Sequence, residues 1–176
     1  MAAVDAMQTI APRDPDLVFR RAMLDDGPRA NQFVRRVADE HTDGPQVLVS
    51  GSAIGFYGDR GDEVLDESSA AGDGFLADIC RAWEAATVPA EDAGVRVAHI
   101  RTGIVLSRHG GALKKMLPLF KLGVGGRFGR GRQWMSWISI HDQVSAIEHL
   151  LAHDVRGAVN LTAPAPVRNA EFASTL

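Results

Sequence analysis

The stretch from Val47 to Gly58, VLVSGSAIGFYG, restricts the fold more than any other part of the chain. The run Val47 to Ser50 is followed at once by Gly51, which predicts a short strand buried on both faces, as in parallel sheets. Glycines let the backbone turn at the carboxyl end of that strand, the edge where open α/β sheets bind ligands. Ser52 and Tyr57 would direct hydroxyl groups into such a site, although a polar loop with a buried tyrosine explains this stretch equally well.

The following residues predict a helix and then a second strand. The helix begins at the N-cap residue Asp73 and ends at Gly94, and its apolar face has the spacing of Leu76, Ile79, Cys80, Trp83 and Thr87. On the same helix, Glu84 fits a surface charge. The run from Val95 to Ile100 predicts the second strand. A strand, a helix and a strand in this order form a parallel unit, so we expect half of a doubly wound α/β sheet.

The flanking segments predict shorter elements of both types. Before Val47, helices are predicted for Leu17 to Met23 and around Phe33. After the second strand, Trp134 to Ile140 predicts a strand and Asp142 to His153 predicts a helix. A last strand is predicted for Ala158 to Leu161, and the chain ends in what would be the start of another helix.

Composition indicates an ordinary globular protein. The 176 residues are 45% apolar and 23% charged, with a net charge of −3 and a single cysteine. This charge gives no footprint for nucleic acid or for a membrane surface, and one cysteine excludes an internal disulfide. We therefore expect a cytoplasmic protein that binds neither nucleic acid nor a membrane, and we predict no metal site. Composition does not indicate the oligomeric state.

A glycine-rich segment contains the spacing GxxGxxG at Gly123, Gly126 and Gly129. A pyrophosphate-binding loop must join a strand to the start of a helix, whereas this segment follows an amphipathic run and precedes a strand. The sequence therefore argues against a cofactor loop here. A substrate loop that binds phosphate or carboxylate through Arg127, Arg130 and Arg132 fits better, and a solvated basic loop is the alternative.

Other catalytic motifs fail on spacing. The run Gly51 to Gly55 reads GSAIG, so it lacks the GxSxG elbow of serine hydrolases. His149 and His153 lie one helical turn apart, but the glutamate of a zinc-binding HExxH is replaced by Leu150. Cys80 lies on the apolar helix face, which favours a buried hydrophobic residue over a nucleophile.

With these segments placed, the chain resembles the atypical, nucleotide-sugar-epimerase-like group of the extended short-chain dehydrogenase/reductase superfamily. The resemblance rests on five runs in the family's order and spacing: VLVSGSAIGFYGDRGDEVLDE, FLADICRAWEAA, VRVAHIRTGIVLSRHGGALKKMLPLFKLGVGG, GRQWMSWISIHD and VNLTAPAPVRNAEF. It implies an α/β fold with a Rossmann-type, doubly wound, mostly parallel sheet and a small substrate-binding subdomain. The implied partner is a small-molecule substrate, and the implied cofactor is NADP(H) in preference to NAD(H).

The resemblance also implies site residues. Ser52 matches the serine that helps bind the reacting oxygen of the substrate, and Tyr57 is the nearest hydroxyl that could act as an acid. The positions that match cofactor contacts are Gly51, Arg101, Thr102, Gly103 and Val105. The positions that match the lining of the substrate cleft are Arg132, Trp134, Trp137 and His141.

The chain departs from the family pattern in its acid/base pair. Active dehydrogenases of the superfamily carry Tyr-x-x-x-Lys on the helix after the serine loop, where the lysine lowers the pKa of the tyrosine. Leu76 and Cys80 occupy these two places here, and neither can transfer a proton usefully. The atypical group commonly lacks the pair, so its absence is expected but leaves the chemistry unexplained.

A second departure concerns the start of the family fold. No strand with a glycine fingerprint precedes Val47, and Asp25-Asp26 occupies the place of a Ser-Arg pair. We therefore expect the middle of a longer protein: one incomplete domain with a sheet half at 17–104, a substrate-subdomain segment at 105–141 and a closing helix and strand at 142–176. The strand at Val47 would have an exposed edge. Two functions stay open: an NAD(P)-dependent epimerase or reductase, and a non-catalytic remnant or nucleotide-binding module.

Overall fold

The computed structural model describes residues 17–18 and 46–176, and it shows a mixed α/β protein. The strands are β1 Leu17–Val18, β2 Val47–Ala53, β3 Arg96–Thr102, β4 Ile104–Leu106, β5 Trp134–Met135, β6 Trp137–Ser139, β7 Gly157–Leu161 and β8 Val167–Arg168. The helices are α1 Phe75–Ala85, α2 Val88–Asp92, α3 Gly111–Lys121, α4 Ile140–Ala152 and α5 Asn169–Thr175, with a 3-10 turn at Ile54–Tyr57.

The described residues divide into two compact units that interleave along the chain. The first, called the sheet unit, contains residues 17–18, 46–102 and 146–160. The second unit contains Gly103–Ser145 and Leu161–Leu176.

The sheet unit is built on a four-stranded sheet of order β1-β2-β3-β7. Strands β2 and β3 pair in parallel from Val47 opposite Arg96 to Ala53 opposite Thr102. Helices α1 and α2 lie between these two strands in the sequence. The predicted strand, helix and strand unit is therefore confirmed, and with it the α/β fold class with a mostly parallel sheet.

The core of the sheet unit follows from the apolar runs of its strands. Consecutive residues of β2 and of β3 are buried, as expected for strands that are covered on both faces; they include Val47, Leu48, Val49, Val97, Ala98 and Ile100. Helix α1 buries Ala77, Ile79 and Cys80. Its Leu76 is 64% exposed, so the predicted apolar helix face is wrong at that position.

The ends of the predicted elements differ from those observed. Strand β2 continues to Ala53, so Gly51 and Ser52 lie within the strand and not in a turn after it. The chain reverses instead through the 3-10 turn and Gly58, whose φ of 67° favours glycine. The predicted long helix ends at Ala85, and the separate helix α2 follows.

The region before Val47 is described only at Leu17–Val18. These residues form a strand paired with Val47 and Leu48, so the predicted helix starting at Leu17 is wrong there. The backbone groups of β2 thus have a partner on that side, and the expected exposed edge is wrong at these two residues. The predicted helix around Phe33 and the Asp25-Asp26 pair lie outside the described residues.

The second unit contains two small sheets. Strands β4 and β6 pair in parallel, and β5 and β8 pair antiparallel. The predicted single strand from Trp134 to Ile140 is interrupted at Ser136, whose carbonyl accepts a hydrogen bond from the Ile104 amide at 2.8 Å. A Cβ at Gly103 would lie 2.4 Å from the same carbonyl oxygen, so this approach requires glycine.

Candidate active site in the sheet unit

The register between β2 and β3 brings the first residues of the site together. Ser52 lies directly opposite Arg101, and Ser50 lies opposite His99. Residues opposite each other on paired strands point to the same face of the sheet. Ser52 and Arg101 are near the carboxyl ends of their strands, and they are only 7% and 5% exposed.

Glu84 on helix α1 joins these two side chains. The Ser52 hydroxyl donates to Glu84 Oε1 at 2.7 Å. The Arg101 guanidinium donates through Nε to Oε1 and through Nη2 to Oε2, both at 2.9 Å. This bidentate contact is the geometry in which the hydrogen bonds between an arginine and a carboxylate are strongest. The Glu84 side chain is 14% exposed, so the interpretation of Glu84 as a surface charge is wrong.

The protein environment keeps Glu84 ionised. Burial raises the pKa of this carboxyl, but the hydrogen bonds from Arg101 and Ser52 outweigh burial and lower the pKa below its ordinary value of 4.5. Burial likewise disfavours the Arg101 cation, yet the hydrogen bonds to Glu84 and Tyr57 leave the pKa of Arg101 raised. The pair is therefore a buried carboxylate and guanidinium at neutral pH.

Arg101 also connects the pair to Tyr57. Its Nη1 donates to the Tyr57 hydroxyl at 3.0 Å, and its guanidinium lies 3.4 Å from the ring centre of Phe56. The Tyr57 hydroxyl donates in turn to Asn160 Oδ1 on β7 at 2.6 Å. Tyr57 is only 3% exposed. The two predicted hydroxyl residues thus belong to one buried network of charged and polar groups.

The loop after Tyr57 folds back onto this network. The Glu67 carboxylate accepts a hydrogen bond from the backbone amide of Asn160 at 2.8 Å, and the backbone carbonyl of Glu67 accepts one from Arg101 Nη1 at 3.4 Å. The Gly72 amide donates to the Phe56 carbonyl at 2.9 Å. A Cβ at Gly72 would lie 2.1 Å from the Tyr57 carbonyl oxygen, so only glycine fits there.

A second pair of side chains supports the network just after the carboxyl end of α1. The Thr87 hydroxyl donates to the Glu84 carbonyl at 2.8 Å and lies 2.7 Å from His99 Nε2. Because the hydroxyl proton is used toward Glu84, His99 Nε2 is the donor to Thr87. Burial lowers the pKa of His99, and the nearby carboxylates of Glu84 and Glu91 oppose this only in part. His99 is therefore a buried neutral imidazole.

The places of the missing Tyr-x-x-x-Lys pair offer no substitute acid or base. The Cys80 thiol is 2% exposed and donates to the Ala53 carbonyl at 3.6 Å. Burial raises the pKa of this thiol, so it stays protonated at neutral pH. This agrees with the interpretation of Cys80 as a buried apolar residue.

The predicted cofactor residues fall in both units. Gly51 and Thr102 lie in the sheet unit, near the carboxyl ends of β2 and β3, and a Cβ added at Gly51 would meet no atom of residues 17–18 and 46–176 within 4 Å. Arg101 is there too, but each of its three guanidinium nitrogens already donates to Glu84 or Tyr57. The geometry therefore gives Arg101 the role of holding Glu84 and Tyr57. Gly103 and Val105 lie in the second unit.

All four predicted substrate residues lie in the second unit. Trp137 Nε1 donates to the Ala165 carbonyl at 3.1 Å, and the Trp134 ring lies 3.9 Å from the Arg168 guanidinium carbon. Arg132 and His141 are exposed. Their role toward a substrate stays a prediction, as does that of Gly103 and Val105.

Three residues of the network were not predicted from the sequence: Glu84, Asn160 and Glu67. A signal was available for Glu84, because it follows Cys80 by one helical turn and precedes Thr87 by one, and both of these lie on the buried face. Asn160 and Glu67 carry no local signal, since their contacts join segments far apart in the sequence.

The described residues hold no group of three or more side chains arranged to bind a metal ion. His149 and His153 stack with ring centres 3.9 Å apart, and His153 Nδ1 lies 2.9 Å from the His149 carbonyl. Within residues 17–18 and 46–176, no helix has the length and apolar character needed to cross a bilayer.

Known proteins are similar to this chain in sequence and in fold. No family model matches the chain. An epimerase family protein of Mycobacterium bovis is 53% identical over 130 residues, which are 73% of this chain and 43% of that protein. The chain therefore belongs to the epimerase family. It spans less than half the length of this relative.

Solved structures agree with this family assignment. A nucleoside-diphosphate sugar epimerase of Corynebacterium glutamicum superposes with a TM-score of 0.73 at 47% identity, over 82% of this chain and 31% of that one. A human epimerase family protein, solved with NADPH, superposes with a TM-score of 0.70 at 26% identity, over 97% of this chain and 64% of that one. The epimerase-family chain thus has the Rossmann-like α/β fold of extended short-chain dehydrogenases/reductases.

Proposed function

We propose that this chain is part of an NAD(P)-dependent epimerase- or reductase-like enzyme, and that it binds the reacting end of a small, sugar-like substrate linked to a nucleotide. The proposal prefers NADP(H) to NAD(H), because the human relative was solved with NADPH. The Corynebacterium relative is a nucleoside-diphosphate sugar epimerase, which supports the substrate class.

The observation that carries the proposal is the buried network of Ser52, Glu84, Arg101 and Tyr57 at the carboxyl ends of β2 and β3. Burying an arginine and a carboxylate is costly, and a core of apolar side chains would serve stability as well. Perturbed, buried ionisable groups beside the ligand-binding edge of a parallel sheet are typical of functional sites. The network thus favours a functional role for Ser52, which it holds in one orientation.

The space beside Gly51 supports a cofactor at this strand end. A Cβ there would contact no atom of the described residues within 4 Å, which supports room for a flat ring on that side. Gly51 and Thr102 would hold the nicotinamide end. NADP(H), when bound, supplies or accepts a hydride. Ser52 would hold the oxygen on the reacting carbon, while Glu84 and Arg101 fix the position of Ser52.

The alternative function, a non-catalytic remnant or nucleotide-binding module, is not favoured. A relative that is 53% identical over 130 residues carries an epimerase name, and the hydrogen bond that holds Ser52 lies within the sheet unit. A chain that served only as a folded core could be as stable with apolar side chains in place of the whole Glu84 and Arg101 pair.

Calorimetric titration with NADPH and with NADH tests the proposal. We expect NADPH to bind, and to bind more tightly than NADH. Gly51→Ala should weaken binding, because its Cβ enters the open space at the strand end. Gly126→Ala is the matched control, since a Cβ at Gly126 also meets no atom within 4 Å in the part of the chain that the structure describes, and it should leave NADPH affinity unchanged. Failure of both cofactors to bind would overturn the proposal.

A further inference from the structure

The Ser52 hydroxyl donates its proton in a hydrogen bond to Glu84 within the protein. Ser52 Oγ lies 2.7 Å from Glu84 Oε1, a distance at which one of the two oxygens must donate a proton. An ionised carboxylate only accepts hydrogen bonds, and Glu84 accepts two more from the Arg101 guanidinium, which only donates. The proton between Ser52 and Glu84 therefore belongs to Ser52 and points toward Glu84.

The Tyr57 hydroxyl, the second one of the network, also donates its proton to another group of the protein. It accepts from Arg101 Nη1 at 3.0 Å and donates to Asn160 Oδ1 at 2.6 Å. Arg101 thus contacts Tyr57 directly and Ser52 through Glu84. Each of the two hydroxyl protons is donated to an acceptor within the protein. The hydroxyl oxygens can offer lone pairs to a ligand, but they have no proton left to donate.

We propose that the ligand group which contacts Ser52 is a hydrogen-bond donor, such as a sugar hydroxyl, and not a carbonyl oxygen. The proposal rests on the function proposed above, and it names the form of the substrate that the site recognises. A carbonyl oxygen at Ser52 Oγ would place two acceptors against each other, whereas a hydroxyl would donate its proton to Oγ. Glu84 is the positioning residue that imposes this polarity.

This polarity has a consequence for the two forms of the substrate. The alcohol form gains a hydrogen bond at Ser52 that the ketone form cannot make. One net hydrogen bond changes an affinity about two- to tenfold. The site should therefore retain the alcohol and release the ketone more readily.

The polarity can be measured without knowing the substrate. In the intact chain labelled with carbon-13 at the serine side chains, NMR should show a slowly exchanging Ser52 hydroxyl proton close to the Glu84 side-chain protons. Ser52→Ala identifies the signal by its loss. Glu84→Gln should shift or remove it, while Glu148→Gln, the same substitution at an exposed position of α4, should leave it unchanged. A hydroxyl proton that exchanges freely or lies away from Glu84 would overturn the proposal.

Two probes of matched size test the recognition itself. 2-Propanol carries a hydroxyl donor, and acetone offers only a carbonyl oxygen. The Ser52 side-chain carbon should respond to 2-propanol at an about two- to tenfold lower concentration than to acetone, and in Ser52→Ala the preference should vanish at the neighbouring Ala53 signal. An equal response to the probes, including no response to either, contradicts the proposal.

The two proposals can fail separately. If NADPH does not bind but 2-propanol is preferred at Ser52, the cofactor assignment is wrong and the polarity of Ser52 stands. If NADPH binds but acetone is accepted as readily as 2-propanol, the cofactor assignment stands and the polarity is wrong.

Discussion

Removing the charge of Glu84 should cost much more stability than removing a similar charge at the surface. Glu84→Gln keeps the shape of the side chain but leaves the Arg101 guanidinium, 6% exposed, without a counter-ion. Two unit charges about 4 Å apart attract by about 4 kcal/mol at an effective dielectric constant of about 20. Breaking a buried ion pair by removing one partner typically costs about 3–5 kcal/mol. Since Ser52 and Tyr57 still bind the remaining groups, we expect about 3 kcal/mol for Glu84→Gln.

The chain supplies its own control for this prediction. Arg60 and Glu63 form an exposed pair with contacts of similar length, but their side chains are 32% and 50% exposed. Pairs of that kind contribute about 0–1 kcal/mol, so Glu63→Gln should change little.

Urea unfolding at neutral pH, followed by circular dichroism, measures both free energies of unfolding. The double variant Glu84→Gln/Arg101→Met should lose less than the sum of its two single variants, because it leaves no unpaired charge. If Glu84→Gln costs no more than Glu63→Gln, then the Arg101 pair is not a buried ion pair in solution and the argument for the site fails.

Three further predictions concern pH, backbone approach and thiol reactivity. Because burial lowers the pKa of His99 in the folded chain, the unfolded chain takes up a proton first as pH falls below about 6.5, so stability should decrease between about pH 7.5 and 5.5. His99→Gln should flatten that slope in urea titrations, and an unchanged slope would exclude His99 as its cause. Gly72→Ala should lower the melting temperature strongly, since its Cβ would lie 2.1 Å from the Tyr57 carbonyl oxygen, whereas Gly126→Ala should not. Cys80, which is 2% exposed, should react with a thiol reagent only in urea; rapid labelling of the folded chain would contradict its burial.

A strand that is buried on both faces can be predicted from the sequence, because a short, continuous apolar run fits few other secondary structures. Strand β2 was predicted in this way, whereas β3 was predicted from an alternating, mostly apolar run. The segment between them was predicted as one helix, and the structure has two, α1 and α2. The residues of β5 were predicted as part of one longer strand from Trp134 to Ile140, but the two-residue strands β5 and β8 show no period of their own. They exist because of their pairing with each other, which no local pattern encodes.

In the site as well, residues with a local sequence signal could be predicted, whereas contacts between segments distant in the sequence could not. Ser52 and Tyr57 were found because they follow a predicted strand. Glu84 was not recognised, because a charged residue in a helix is usually solvated and its burial depends on the arginine beside it. That arginine, Arg101, is brought there by the register of β3 on β2. A sequence without a known register cannot give that contact.

The missing Tyr-x-x-x-Lys pair can now be understood from the geometry of helix α1. Leu76, in the place of the tyrosine, is 64% exposed, and Cys80, in the place of the lysine, is buried against Ala53. The helix instead contacts Ser52 one turn later, through Glu84. A carboxylate whose pKa is lowered by arginine is a poor acid and a weak base, so it cannot replace a tyrosine in proton transfer. Helix α1 therefore orients the serine, and any proton transfer to a substrate must come from a group outside this helix.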